Sequence, residues 1–195
     1  MGFLADHCSF HLMTRELLTT CPNFSCGNED LDEFFMKDAM PYNEKLLGKT
    51  YCYLLDDHPH SIACAFTLSN DSIKVDQLPN SRKKKINEKM PREKQMRRYP
   101  AALIGRLGVN IDLAGRGIGS ELLDFIKKWF VQTDNKTGCR YLVVDAYNSP
   151  EILQYYQKND FSFLFSTEEQ EASNSSLPLP LKTRYMYYDL IQVQP

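Results

Sequence analysis

The most informative segment of the chain covers residues 103–126 and reads LIGRLGVNIDLAGRGIGSELLDFI. Its first part is apolar and strand-like. Gly105 and Gly108 interrupt it, and glycine inside a strand often marks a bulge or a close approach to the backbone. Its last part begins a run of apolar side chains at helical spacings, which covers residues 117–131 and so continues past the segment. The segment therefore predicts a strand, a glycine-rich loop and a helix.

The predicted loop contains three glycines, Gly115, Gly117 and Gly119. Glycine lets main-chain N–H groups reach a phosphate without an intervening Cβ, and a helix N-terminus adds unpaired donors and a favourable dipole. The spacing GxGxG differs from the dinucleotide fingerprint GxGxxG and from the P-loop pattern GxxxxGK[ST]. The loop predicts a pyrophosphate site of another class, and a flexible turn is the alternative.

Two motifs resemble those of the GCN5-related N-acetyltransferases. Leu107-Gly-Val109 followed by residues 115–123 is similar to the acetyl-CoA-binding core, and residues 155–161 are similar to the later Phe-Tyr-x-x-x-Gly-Phe segment. The resemblance covers residues 100–165. It implies an α/β (α+β) fold with a central, twisted, mostly antiparallel mixed sheet of six to seven strands, flanked by helices and splayed between strands 4 and 5.

The resemblance also implies which residues form the site. The residues that it assigns to binding of the co-substrate acetyl-CoA are Leu107, Gly108, Val109, Gly115, Arg116, Gly117, Ile118, Gly119, Ser120 and Asn148. Tyr156 matches the position of the family's general acid. Asp145 and Glu151 are candidates for the general base by position only, and a water chain is the alternative.

Two positions depart from the family pattern. Ala114 stands where the family usually has Gln or Arg, which removes one side-chain contact to the donor. Asp160 replaces the glycine of the Gly-Phe pair, and an aspartate can adopt the left-handed conformation at modest cost.

The chain most resembles the toxin branch of the family, through residues 24–27, 31–34, 99–100 and 103–109. This resemblance implies an enzyme that acetylates the α-amine of aminoacyl-tRNA and pairs with a ribbon-helix-helix antitoxin. A small-molecule or protein amine is the alternative acceptor, and a non-catalytic acyl-CoA- or RNA-binding module is the alternative of another class. Dimers are common in the family, which leaves a homodimer open.

Charge is distributed unevenly along the chain. From Arg82 to Arg98 there are nine basic residues against two acidic ones, a net charge of +7 that leaves −9 for the rest. This basic insertion, at about residues 81–98, suits the phosphates of an RNA such as aminoacyl-tRNA. A solvated, mobile insertion is the alternative.

Length and composition bound the remaining possibilities. The 195 residues, 43% of them hydrophobic, predict a single N-acetyltransferase domain over residues 1–195. No apolar run approaches the ~20 residues that span a bilayer, and the N-terminus has no signal-peptide pattern, so we expect a cytoplasmic protein without a membrane partner. The six cysteines include no CxxC pair, which favours free thiols and no metal site.

Local patterns predict most of the other elements. Within residues 24–40 a helix is expected to begin after Asn28 as its N-cap, and another is expected over residues 150–158, beginning at Pro150. Strands are expected at residues 50–55, 61–69, 141–145, 161–165 and 184–190, and loops at residues 70–80 and 166–183.

Overall fold

The structure, a computed structural model, describes residues 2–88, 90–91 and 95–193. The described strands are β1 (Cys8–Leu12), β2 (Lys49–Leu55), β3 (Ile62–Lys74), β4 (Arg98–Val109), β5 (Tyr141–Tyr147), β6 (Ser162–Phe163) and β7 (Thr183–Asp189). The described α-helices are α1 (Phe3–His7), α2 (Arg15–Thr20), α3 (Glu29–Glu33), α4 (Ala39–Glu44), α5 (Asn80–Asn87), α6 (Ile118–Phe130), α7 (Pro150–Lys158) and α8 (Glu168–Ser175).

The strands form one seven-stranded sheet in the order β1-β2-β3-β4-β5-β7-β6. The antiparallel pairs are β1 with β2, β2 with β3, β5 with β7, and β6 with β7. β4 and β5 pair in parallel through three residue pairs, the last of them Leu103 with Val143. The predicted mixed, mostly antiparallel sheet is confirmed.

The chain divides into two compact units. One contains Met1–Ser69 and Ile104–Trp129, and the other contains Asn70–Leu103 and Phe130–Pro195. β3 and β4 each contribute residues to both units. A single N-acetyltransferase domain over residues 1–195 stays a prediction.

The core of the first unit is rich in aromatic side chains. The Phe10 ring on β1 packs edge-on against Phe125 and Trp129 of α6, with ring centroids 4.9 Å and 5.3 Å apart. The spacing of apolar residues that predicts α6 is the spacing that buries Leu122 and Ile126. Burial of such side chains contributes on the order of 2 kcal/mol each, so it fixes α6 on the sheet.

The core of the second unit includes the helix that carries part of the basic insertion. Ile86 on α5 is buried in a cluster that includes Tyr99, Tyr141 and Phe165. The Tyr99 hydroxyl also donates to Asn87 Oδ1 at 2.8 Å. Residues 80–87 are therefore docked on the core through Ile86 and Asn87, which favours a packed helix over a solvated, mobile insertion for them. Lys89, Arg92 and Lys94 lie outside the described residues.

Two predicted loops contain regular structure. The prediction for residues 70–80 is wrong because β3 continues to Lys74, where Ile73 is buried in the core. The prediction for residues 166–183 is wrong because α8 begins after Thr167, whose side chain accepts from Gln170 N–H at 3.2 Å. Thr167-x-x-Gln170 matches a capping-box pattern, which is the sequence signal for this helix.

The helix predicted to follow Asn28, within residues 24–40, is confirmed, with an unexpected internal turn. Asn28 is its N-cap and accepts from Leu31 N–H at 3.2 Å. The five residues Phe34–Asp38 form a π-helical turn, and the chain then passes Pro41 within α4. Proline has no N–H and its ring crowds the preceding turn, so a widened turn before Pro41 keeps the helix continuous.

Candidate active site

The glycine-rich loop has a backbone that only glycine adopts readily. Gly115 and Gly117 have φ angles of +77° and +79°. An added Cβ at either position would have no atom within 4 Å, so both face open space. Gly117 O accepts the N–H groups of Ser120 and Glu121, each at 3.1 Å, and so begins α6. The loop therefore presents main-chain N–H groups at the positive end of a 13-residue helix.

Both sides of this loop are anchored. Leu113 and Ile118 are buried, whereas Arg116 between them is exposed. Gly119 and Ser120 lie half-buried in the first turn of α6. The exposed segment, residues 114–117, is thus a short turn between two buried anchors.

The end of β4 packs closely on the N-terminal helices. A Cβ on Gly108 would lie 3.0 Å from Cys26 Cβ and 3.2 Å from Phe35 Cε2. Gly108 is therefore required for close packing, while its neighbours Leu107 and Val109 are half-buried. A Cβ on Gly105 would meet no atom within 4 Å.

Asp32 holds the loop that reaches Gly108. Its carboxylate accepts from Ser25 Oγ at 2.6 Å and from Cys26 N–H at 2.7 Å. Burial raises the pKa of Asp32, but these hydrogen bonds outweigh it and lower the pKa below its usual range. The residues of the toxin-like motif at positions 25–32 therefore support the end of β4.

Tyr156 lies on α7, in the second unit, and is half-buried. Its ring contacts Phe161 and Tyr155, with centroids 5.4 Å and 5.1 Å away. Burial raises the pKa of Tyr156 well above the usual value for tyrosine, so the hydroxyl stays protonated at neutral pH. Asp160 adopts the expected left-handed conformation, with φ +64°, and ends α7.

Asn148 has a structural role that the sequence did not indicate. Its Nδ2 donates to Glu168 Oε1 at 3.0 Å and to Leu181 O at 2.9 Å. Both amide hydrogens are thereby used to hold the end of β5 against α8 and the approach to β7. Only Oδ1 is left for the predicted contact to the donor.

In the basic insertion, some cationic side chains pack against the fold and others are exposed to solvent. The Nε–H of Arg82 donates to Leu164 O at 2.5 Å, and its Nη2 donates to Phe163 O. Arg82 therefore anchors α5, whereas Lys84 and Lys85 are exposed.

All six cysteines are free thiols, as expected. Within residues 2–88, 90–91 and 95–193, no group of three or more His, Cys, Asp or Glu side chains could hold a metal ion. Across the same residues, no helix has the length and apolarity to cross a membrane.

No protein-family model matches the chain. The chain is similar to AtaT complexed with acetyl-methionyl-tRNAfMet, with 17% identity over 93% of this chain and 94% of that one, and a TM-score of 0.67. It is similar to a tyrosine-to-phenylalanine mutant of KacT, with 16% identity, 95% and 96% coverage and a TM-score of 0.70.

A third similar structure is a tyrosine-to-phenylalanine mutant of the AtaT toxin bound to the C-terminus of the antitoxin AtaR and acetyl-CoA. Identity is 16%, each chain is covered to 95%, and the TM-score is 0.63. At such identities the likeness concerns the fold. The chain has the fold of the GCN5-related N-acetyltransferases, as its sequence motifs indicate.

Proposed function

We propose that this protein is an acetyl-CoA-dependent N-acetyltransferase whose acceptor is the α-amine of aminoacyl-tRNA. The observation that carries the proposal is the turn at Gly115 and Gly117, which has positive φ angles and open space around both glycines at the N-terminus of α6. The fold supports it, because structures of the same fold are bound to acetyl-CoA or to an acetylated aminoacyl-tRNA.

The residues of the first unit fit the donor. Main-chain N–H groups of the loop from Gly115 to Ser120 would hold the pyrophosphate, and Arg116 would add a positive charge. Main-chain groups of Leu107 and Val109 would bind the pantetheine arm as an added strand does. When bound, acetyl-CoA supplies an activated acetyl group as a thioester.

We assign the role of general acid to Tyr156. Its hydroxyl holds a proton at neutral pH because burial raises its pKa. Since that pKa lies above the usual ~8.5 of a thiol, the hydroxyl acts first as a hydrogen-bond donor to a leaving sulfur. Two of the similar structures carry a tyrosine-to-phenylalanine substitution, which is consistent with a functional tyrosine in proteins of this fold. Packing of Tyr156 against Phe161 keeps its ring in one orientation.

The remaining parts of the proposal concern partners and location. One similar structure binds the C-terminus of an antitoxin, so we include an antitoxin as a partner. We include a homodimer because dimers are common in the family that the sequence resembles. Six free thiols suit a reducing compartment, and acetyl-CoA and charged tRNA are substrates of the cytoplasm. We therefore place the protein there.

The test is titration calorimetry with acetyl-CoA followed by an acetyl-transfer assay. Wild type should bind saturably, and Gly117→Glu should not, because a carboxylate and a Cβ then occupy the turn. Wild type should then acetylate aminoacyl-tRNA. Binding without transfer to RNA, amino-acid esters, polyamines or peptides would instead support a non-catalytic acyl-CoA module. Failure of folded wild type to bind acetyl-CoA would contradict the proposal.

A further inference from the structure

A cavity of about 600 Å³ lies within the second unit. Its polar lining comes from α5, from the C-terminal end of α7, from the segment around β6 and from the C-terminal region. It consists of Arg82, Lys85, Gln157, Asp160, Ser162, Ser166 and Gln192. Gln157 and Asp160 lie within the motif at residues 155–161, but none of the five polar residues beyond α5 is assigned to ligand binding from the sequence motifs. The cavity is large enough for one nucleotide unit.

Two cations line the same side of this cavity. Lys85 follows Arg82 by three residues, so both side chains lie on one face of α5. The carbonyl groups that accept from Arg82 orient its guanidinium without neutralising it. Burial, and then the charge of Arg82, lower the pKa of Lys85. An anion in the cavity would relieve this repulsion.

No described carboxylate forms an ion pair with either cation within 4.0 Å. Glu88 acts on Lys85 only as a more distant charge. The positive charge of Arg82 and Lys85 therefore remains available to a ligand, and phosphate is the group that such a pair of cations commonly recognises.

Asp160 restricts which phosphate ligand fits. Its left-handed turn, closed by a 3.0 Å hydrogen bond from its N–H to Gln157 O, fixes where the side chain starts. A carboxylate repels a phosphate but accepts hydrogen bonds from sugar hydroxyls. A ribose 2′-hydroxyl next to a phosphate satisfies both requirements, and this hydroxyl distinguishes RNA from DNA.

We propose that this cavity binds one phosphate and the adjoining ribose of the RNA acceptor. Lys85 contacts the phosphate, Arg82 adds positive charge while it anchors α5, and Asp160 accepts from the ribose hydroxyl. The inference rests on the proposed function in taking RNA as the acceptor, and it adds the site and its preference for ribose.

The first test measures binding of uncharged tRNA to the full chain without acetyl-CoA. Lys85→Glu should weaken binding at least tenfold and lower the slope of log K against log salt by about one. Lys84→Glu is the matched control, because Lys84 is exposed on the same helix and does not line the cavity. Equal losses in the two variants would overturn the site, since they would indicate a diffuse charge effect.

The second test compares RNA and DNA oligonucleotides of one sequence with wild type and Asp160→Asn. Asparagine tolerates the left-handed turn, so the fold should persist. Wild type should prefer RNA, and the variant should lose most of that preference. An unchanged preference would overturn the role of Asp160.

Acetyl transfer to an amino-acid ester separates this inference from the proposed function. Lys85→Glu should transfer to the ester at the wild-type rate, because the ester carries no phosphate. A wild type that binds tRNA through Lys85 but never acetylates charged tRNA would contradict the proposed acceptor and support the cavity. If Lys85→Glu bound tRNA with wild-type affinity and acetylated charged tRNA normally, the result would support the proposed acceptor and contradict the cavity as an RNA site.

Discussion

The Nε–H of Arg82 donates a hydrogen bond of 2.5 Å to the main-chain oxygen of Leu164. This contact joins the first turn of α5 to the segment that follows β6. It shows that the most N-terminal cation of the basic insertion supports the fold, while Lys84 and Lys85 carry exposed charge.

Arg82→Ala should lower the free energy of unfolding by about 2 kcal/mol, because two main-chain acceptors lose a charged donor. Urea titration followed by circular dichroism measures the change. Lys84→Ala, on the exposed side of α5, should stay within about 0.5 kcal/mol of wild type. Equal unfolding midpoints for the two variants would show that the Arg82 contacts contribute nothing.

Gly108→Ala should destabilise the protein by about 1–3 kcal/mol, because the new methyl group would lie 3.0 Å from Cys26 Cβ. Gly105→Ala is the control on the same strand, since its Cβ would meet nothing within 4 Å. Thermal unfolding of both variants gives the comparison. A Gly108→Ala protein as stable as Gly105→Ala would contradict the close approach.

Tyr156→Phe should lower kcat by about 10²–10⁴-fold and leave the Kd for acetyl-CoA unchanged, because the phenyl ring keeps the packing and loses the proton. Tyr155→Phe should retain most activity. Because burial raises the pKa of Tyr156, its acidic form persists as pH rises, so this group should cause no loss of wild-type rate below pH ~10. A Tyr156→Phe enzyme with wild-type kcat would remove the residue from the mechanism.

Ala114→Arg should tighten acetyl-CoA binding several-fold, because an exposed side chain at the start of the loop regains a contact that the family motif usually has. One added hydrogen bond contributes roughly 1 kcal/mol. Calorimetry measures the change, with Ala114→Asp as the variant of opposite charge that should bind more weakly. Tighter binding by the aspartate variant would place this position away from the phosphates.

Stability should fall between pH 9 and 11. Burial raises the pKa of Cys8, Cys26 and Cys139 to about 11, from an ordinary value of 9.0. A raised folded-state pKa contributes stability that is fully present below the unfolded-state pKa and is lost as pH rises through the folded-state pKa. The free energy of unfolding of Cys139→Ala should therefore decline less steeply over this range than that of wild type. Parallel declines would show that Cys139 does not titrate differently in the two states.

Local chemistry explains the parts of the molecule that were predictable. The positive φ angles at Gly115 and Gly117 and the apolar face of α6 are encoded within about one turn of the residues concerned. The start of α7 is local as well, because Ser149 caps it and Pro150 occupies its first turn. Short-range steric and hydrogen-bonding rules are therefore enough to locate the glycine loop and the helix that carries Tyr156.

Contacts between distant residues decided the rest. The anchoring of Arg82 depends on carbonyl groups 81 and 82 positions away, and the amide of Asn148 is engaged by residues 20 and 33 positions later. The crowding at Gly108 depends on the fold of residues 26–35. A local sequence pattern does not predict which side chains meet across such separations, because these contacts depend on how the whole chain packs. The glycine loop could thus be recognised from sequence, whereas the cavity at Lys85 and Asp160 exists only once the chain has folded.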